Sequence, residues 1–265
     1  MIDPDLAGEA LDDKDRNFIT ALARGLDILR CFKPGESTLT NQDFAARTGL
    51  PKPTVSRLTH TLCVLEYLVA DPRSGTYQLG AGVLRLGFSV LSSMEIVDRA
   101  RDTMRALSNG PNSYITVALA ETYQTDAVYV AVEKSMENVS LTMHVGARLP
   151  IFHSAIGRAM LVGMDEEDRA VMFERTKAKD PEGHAGRKAA YAQARSEYEN
   201  LGYCCSYGDW RPDVNGIAAP VFALSGRGVY GLNVGGPSFH VKKKHLERAY
   251  GRMLVDAAAK LSTGG

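Results

Sequence analysis

Cysteine is scarce in this chain of 265 residues, and the four present are Cys31, Cys63 and the adjacent Cys204 and Cys205. They form neither a CxxC pair nor a disulfide framework, which leads us to expect a reducing, cytoplasmic setting. No apolar run approaches the length of a membrane span. The first residues lack the basic-then-apolar order of a secretion signal. Net charge is missing too, since 31 Lys and Arg offset 31 Asp and Glu. That balance excludes a bulk coater of nucleic acid and confines any DNA contact to a patch. HExxH, GxSxG and spaced cysteine pairs are absent, and the glycine spacings of the second half lack the lysine of a phosphate loop. No motif therefore asks for catalysis, a metal or a cofactor. Internal repeats and low-complexity blocks are also absent.

The most informative absence is local. From Phe44 to Leu65 the chain reads FAARTGLPKPTVSRLTHTLCVL, without one acidic residue, while Arg47, Lys52, Arg57 and His60 supply positive charge. Val55, Leu58, Leu62 and Leu65 recur at helical spacing and predict one buried stripe. Thr54, Ser56, Arg57, His60 and Thr61 fall mostly off that stripe. A helix buried on one side, with hydroxyls and a guanidinium on the other, suits a DNA groove. Upstream, Thr40-Asn41-Gln42-Asp43 is a capping box that opens a short helix, with Phe44 and Ala45 as candidates for its buried side. Gly49 turns the chain, Leu50 plugs the core, and Pro51 and Pro53 set the next helix start. Helix, glycine turn, helix is the helix-turn-helix pattern, whose second member reads DNA. Tyr67–Ala70 and Thr76–Leu79, flanking DPRSG, predict a hairpin wing with Arg73 at its tip. The DNA-contact candidates are Lys52, Thr54, Ser56, Arg57, His60 and Arg73. Lys52 suits phosphate and Arg57 suits bidentate reading of guanine.

The remaining organisation follows from pattern. Residues 1–16 hold six acids against two bases and read as a disordered acidic tail. Residues 17–79 read as the winged helix-turn-helix, opening on an amphipathic helix whose apolar residues are Phe18, Leu22, Leu26 and Leu29. Residues 80–93 read as a linker helix, and residues 94–265 as an effector-binding and oligomerisation domain. In that last part a helix near Glu95–Leu107 precedes the strand-like runs YITVALAE, DAVYVAVEK and VSLTMHVG. Helices near Ser154, Asp165–Glu174 and Arg187–Asn200 follow, then the strand-like runs YCCSYGD, GIAAPVFAL and GVYGLNVGG. A last helix carries Leu246, Tyr250, Leu254 and Leu261 on one face. The fold class expected is α+β, built around an antiparallel sheet. Ser154 reads as a helix N-cap whose following amides form an anion hole, with Gly157 permitting close approach. Lys242–Lys244 reads as the solvated start of the last helix.

The two halves together resemble the IclR family of bacterial transcription regulators. ALARGLDILRCF, LTNQDFAARTGLPKPTVSRLTHTLCVLEYLV and TYQLGAGVLRLG resemble its winged helix-turn-helix and linker. GARLPIFHSAIGRAML, NLGYCCSYGDW and NGIAAPVFAL resemble its GAF-like effector domain. The resemblance implies a ligand-responsive repressor or activator that binds double-stranded DNA at a palindromic operator as a homodimer or homotetramer. By the same resemblance Leu141, Ala155, Ile156, Ser206, Val214 and Gly216 line the effector pocket, at whose helix end Ser154 stands. Cys205, Tyr207, Trp210 and Asn215 lie close by in sequence and are candidates for its walls. Where this chain has Pro53 the family often carries serine; where it has Ser206 and Gly216 the family's prototype has an acid and a cysteine. Its LPIF stands for the usual LPLH, with the histidine displaced to His153. These departures tell against a glyoxylate- or pyruvate-like effector. The single tryptophan, Trp210, points instead to a flat ring, hence an aromatic carboxylate or similar small organic acid. The rival reading is a small-molecule hydrolase or thiol enzyme built on Cys204 or Cys205 with His144 or His153.

Overall fold

A computed structural model describes residues 16–134, 137, 143–226 and 228–263. The chain divides into two compact units, residues 1–93 and 94–265. Except for Arg16, the expected acidic tail lies outside the described residues.

In the first unit α1 (Thr20–Arg30) leads to β1 (Leu39–Thr40), α2 (Asn41–Thr48) and α3 (Lys52–Val64). The wing, β2 (Leu68–Asp71) and β3 (Thr76–Leu79), and then α4 (Ala81–Ser93) follow. The small sheet runs β1-β3-β2, all antiparallel. The capping box forms: the Asp43 amide donates to Thr40 Oγ1 at 3.2 Å, and Asp43 Oδ2 accepts from the Thr40 amide at 2.8 Å. The Thr40 hydroxyl, donating to Asp43 Oδ2 at 2.7 Å, and then the Thr40 amide hold the Asp43 carboxyl below its ordinary range. Its contribution is therefore present above the unfolded carboxyl value and is lost as pH falls through the lower folded one. Thr40→Ala is expected to destabilise this unit by about 1 kcal/mol in urea unfolding. An unchanged midpoint would remove the cap from the account. Gly49 ends α2 at φ 70°, the left-handed conformation that glycine adopts without a Cβ penalty.

The core of this unit is Ile28, Cys31, Leu39, Phe44, Val55, Leu62 and Leu68, with Phe44 packed against the rings of Phe32 and Tyr77. Three sequence expectations need correction. On α1 it is Ile28 that is buried, whereas Phe18, Leu22 and Leu26 of the expected inward stripe are exposed. On α3 Leu65 is exposed as well. Its place is taken by Thr59, fully buried, with its hydroxyl donating to Val55 O at 3.1 Å and Asn41 Oδ1 at 3.2 Å. A satisfied threonine can lie in a core, which an apolar count misses. Arg47 does not join the free positive face. It forks onto both oxygens of Glu36 at 2.6 and 2.9 Å and donates to Cys31 O.

The second unit is a six-stranded antiparallel sheet whose neighbouring strands are, in order, Arg148–Pro150, Asp126–Glu133, Thr116–Tyr123, Val229–Pro237, Val214–Phe222 and Cys204–Tyr207. It begins with α5 (Glu95–Ser108), β4 (Thr116–Tyr123) and β5 (Asp126–Glu133), then β6 (Arg148–Pro150), α6 (Ala155–Gly163), α7 (Glu166–Lys179) and α8 (His184–Leu201). Next come β7 (Cys204–Tyr207), β8 (Val214–Phe222), β9 (Val229–Pro237), a short α9 (Lys243–His245) and α10 (Gly251–Thr263). The expected strand VSLTMHVG needs correction in its second half. Residues 138–142 lie outside the described residues and 143–146 are not strand; the edge strand is Arg148–Pro150. The last helix carries a π turn, Leu246–Tyr250, that periodicity alone did not disclose. Tyr250 accepts from the Asn112 amide at 3.0 Å and fills space where Gly110 has no Cβ.

Small residues on one sheet face let α6 lie close. Ala118, Ala120 and Ala218 sit in the core beneath Ala155, Ile156, Ala159 and Met160, and α8 adds Ala194. A Cβ on Gly231 would stand 2.5 Å from the Ile156 side chain. Strand side chains alternate between faces, which leaves the other face to α5 and α10.

Candidate DNA-reading surface and effector cavity

On α3, Val55, Leu58, Thr59 and Leu62 occupy the inward arc. At 100° per residue that puts Arg57 and His60 near the middle of the outward arc, with Ser56 beside them and Lys52 and Thr54 at its margins. Lys52, Ser56, Arg57 and His60 are exposed and Thr54 is half-buried. Among the described residues none of the Lys52, Arg57 and His60 side chains has an ion pair or hydrogen bond within the protein. Arg57 is thus free for an outside partner instead of tied across the helix pair. The start of α3 offers less than expected: Pro53 has no N–H and the Thr54 amide donates to Pro51 O at 2.9 Å.

Arg73 lies exposed in the β2–β3 turn. Its amide donates to Asp71 Oδ1 at 2.9 Å, and the Ser74 hydroxyl donates to Asp71 Oδ2 at 2.6 Å. The turn acid is thereby occupied locally and held below its ordinary range, chiefly by Ser74. The Arg73 guanidinium is left outward.

The second unit contains an open cavity of about 410 Å³, solvent at its mouth included. Of the residues expected there, Ser154, Ala155, Ser206, Trp210, Val214, Asn215 and Gly216 form its wall. Ser154 caps α6 by accepting from the Gly157 amide at 3.2 Å, and its own hydroxyl donates to Pro150 O at 2.9 Å. The amides of Ala155 and Ile156 have no intrahelical acceptor and mark the positive end of the helix. Among the described residues, no lysine, arginine, histidine, aspartate or glutamate lines the cavity. An anion there meets neutral donors and a helix end alone.

Several expected residues do not line it. The Ile156 side chain is core, pressed on Gly231. Cys205 and Tyr207 alternate with Ser206 and turn to the other face, where Tyr207 Oη donates to Glu247 at 3.1 Å. Leu141 lies outside the described residues. Conversely Thr116, Tyr129, Met143, Leu149, Asn233, Gly235 and Gly236 belong to the wall and were missed. They come from β4, β5, β6, β9 and the approach to β6, and only strand pairing brings those segments together.

Backbone polar groups of Cys205, on the edge strand, are bound by side chains. Its amide donates to Glu197 at 2.7 Å, and Arg158, paired with Asp209, donates to its carbonyl at 2.6 Å. Burial pushes the Cys205 thiol up to about 11 and raises Cys204 further. Both stay protonated near neutrality, which removes the thiolate that a cysteine enzyme needs.

Residues 21–72 match the IclR helix-turn-helix domain, and residues 88–263 match the C-terminal domain of the bacterial transcriptional regulator IclR. The HTH-type transcriptional regulator TsaQ1/TsaQ2 of Comamonas testosteroni is 33% identical over 230 residues, which cover 87% of this chain and 82% of that protein. The crystal structure of an IclR family transcriptional regulator from Brucella abortus superposes with a TM-score of 0.85 at 39% identity, covering 100% of this chain and 99% of that one. An IclR homolog from Microbacterium hydrocarbonoxydans, crystallised with 4-hydroxybenzoate, shares the fold at 21% identity, with a TM-score of 0.70 and coverage of 92% and 98%. The unpaired cationic face thus lies on a matched helix-turn-helix, and the neutral cavity in a matched C-terminal domain: the chain belongs to the IclR family of bacterial transcriptional regulators, DNA-binding proteins and not enzymes.

Proposed function

We propose that this regulator grips a palindromic operator as a homodimer or homotetramer, and that a small aromatic carboxylate in the second unit sets its operator affinity. Lys52, Thr54, Ser56, Arg57, His60 and Arg73 make the DNA contacts. Ser154, Ala155, Ser206, Trp210, Val214, Asn215 and Gly216 surround the acid. Residues 17–79 serve as reader, 80–93 as linker, and 94–265 as the effector-binding and oligomerising part, working in the cytoplasm on a neighbouring catabolic operon. No helix among the described residues is long and apolar enough to cross a membrane.

The observation that carries this reading is the cavity wall at the α6 N-terminus. Helix-end amides favour a carboxylate without a counter-ion, and the one tryptophan of the chain stands in the same wall. Self-association is supported by apolar side chains turned to solvent on α1 and α4, among them Leu84 at 75% and Phe88 at 68% exposure. Pairing two readers roughly adds their binding free energies and fixes half-site spacing. The acid acts by binding the two packings of the dimer unequally, a coupling of about 1–3 kcal/mol in typical cases.

Thermal-shift screening against aromatic and aliphatic monocarboxylates tests the ligand. A binding acid is expected to raise the melting temperature by mass action and to change operator affinity about 5- to 150-fold. An acid that stabilises the protein while leaving operator affinity unchanged would refute the coupling.

A further inference from the structure

Three polar side chains that the sheet strands bring to the cavity wall have no hydrogen-bond partner among the described residues: the hydroxyls of Thr116 and Tyr129 and the carboxamide of Asn233. None counts among the buried polar atoms closed off from solvent. They therefore open onto the cavity itself. Tyr129 and Thr116 are otherwise buried, at 2% and 7% exposure. Unpartnered groups in so protected a place call for water or a ligand as their partner.

The three stand at different points of the sheet. Asn233 belongs to the α6 end. Its Oδ1 and Nδ2 lie 3.2 and 3.4 Å from where Cβ atoms on Gly216 and Gly235 would stand, and Ala155 lies 3.8 Å from that same Gly216 position. Thr116 pairs with Gly235, which pairs with Gly216, so Thr116 shares that row. Tyr129 comes from β5, pairing with Ala120 farther along β4. In the order β5-β4-β9-β8 it stands three strand spacings from Gly216 and four residues farther along the strands, roughly 14 Å across the sheet and roughly 13 Å along it. Burial pushes the Tyr129 phenol well above its usual range, so it remains a neutral donor and acceptor. With no charged side chain among the described residues of the wall, a second ionised group on the ligand would lack compensation.

We infer that Tyr129 is a specificity-determining residue that reads a neutral hydroxyl at the end of the effector away from its carboxylate, so that the effector class is hydroxy-substituted aromatic monocarboxylates. This inference rests on the cavity being the effector site. A site that hydrogen-bonds a ligand hydroxyl rejects the analogue lacking it, because its own buried polar group is then left unpaired. Asn233 and the first amides of α6 take the carboxylate.

The test is titration of the full chain with benzoate and with its 3- and 4-hydroxy derivatives, read by the fluorescence of Trp210. At least one hydroxy acid is expected to bind about tenfold or more tighter than benzoate. In Tyr129→Phe, which keeps the ring, that acid weakens by a similar factor while benzoate holds or tightens. A wild-type protein that binds all three equally overturns the inference and leaves the effector cavity standing. A preference retained in full by Tyr129→Phe overturns the role of Tyr129. Failure of any of these acids to bind at millimolar concentration overturns both the inference and the aromatic-carboxylate reading beneath it.

Discussion

Arg57→Ala is expected to weaken operator binding by about 1–3 kcal/mol per half-site and to relax sequence choice at the base pair it contacts. Arg57 sits near the centre of the outward arc of α3 and has no partner among the described residues. Its removal costs the fold little, and the loss appears almost wholly in DNA binding. Lys52→Ala makes the contrasting case: a phosphate contact weakens binding about uniformly across sequences and lowers the salt slope by about one. Anisotropy titrations against the operator, single-base variants and a scrambled duplex at several salt concentrations separate the two. If Arg57→Ala weakens operator and scrambled duplex by the same factor, Arg57 is a phosphate contact and base reading lies elsewhere on the face.

Gly157→Ala is the second large effect, and it falls on stability. A Cβ at Gly157 would stand 2.3 to 2.6 Å from Ile151 backbone atoms. Backbone cannot rotate aside as a side-chain tip can. Accommodating the methyl means lifting α6 from the turn that precedes it, which also shifts the Ser154 cap and the helix end in the cavity wall. The expected cost is about 3 kcal/mol, at the upper end of overpacking changes. It should appear as a lowered melting temperature of the second unit and a lost response to carboxylates. A variant that melts with the wild type would show that the helix does not approach Ile151 so closely. Ser154→Ala is less informative about ligand, because its hydroxyl already bonds Pro150 and Gly157.

What the sequence discloses here is what depends on neighbours along the chain. The Thr40 capping box, the Gly49 turn, the wing and the Ser154 cap are each written within a few residues, and each forms. The missing acids between Phe44 and Leu65 mark the positive face, although Arg47, spent on Glu36, is lost from it. The inward side of α1 was misread because an apolar stripe says only that a surface seeks cover. Phe18, Leu22 and Leu26 face solvent in the single chain, and nothing local distinguishes that from core.

The cavity was half legible. Ser154, Ala155 and the segment around Ser206 to Gly216 came from resemblance and pattern. Tyr129, Thr116 and Asn233 sit on strands far apart in sequence, joined only by the register of β4, β5 and β9. The misplacement of Cys205 and Tyr207 has a simpler cause: on a strand, every second residue faces away.

Binding of the purified full chain to promoter-proximal duplex at low ionic strength, followed by anisotropy with and without aromatic acids, bears most directly on the account. Saturable binding is predicted, competed by a palindromic fragment better than by scrambled DNA, steeply weakened by salt and reduced in Arg57→Ala. Absence of binding under all of these conditions, or binding that Arg57→Ala leaves untouched, would contradict the claim that the outward face of α3 reads DNA.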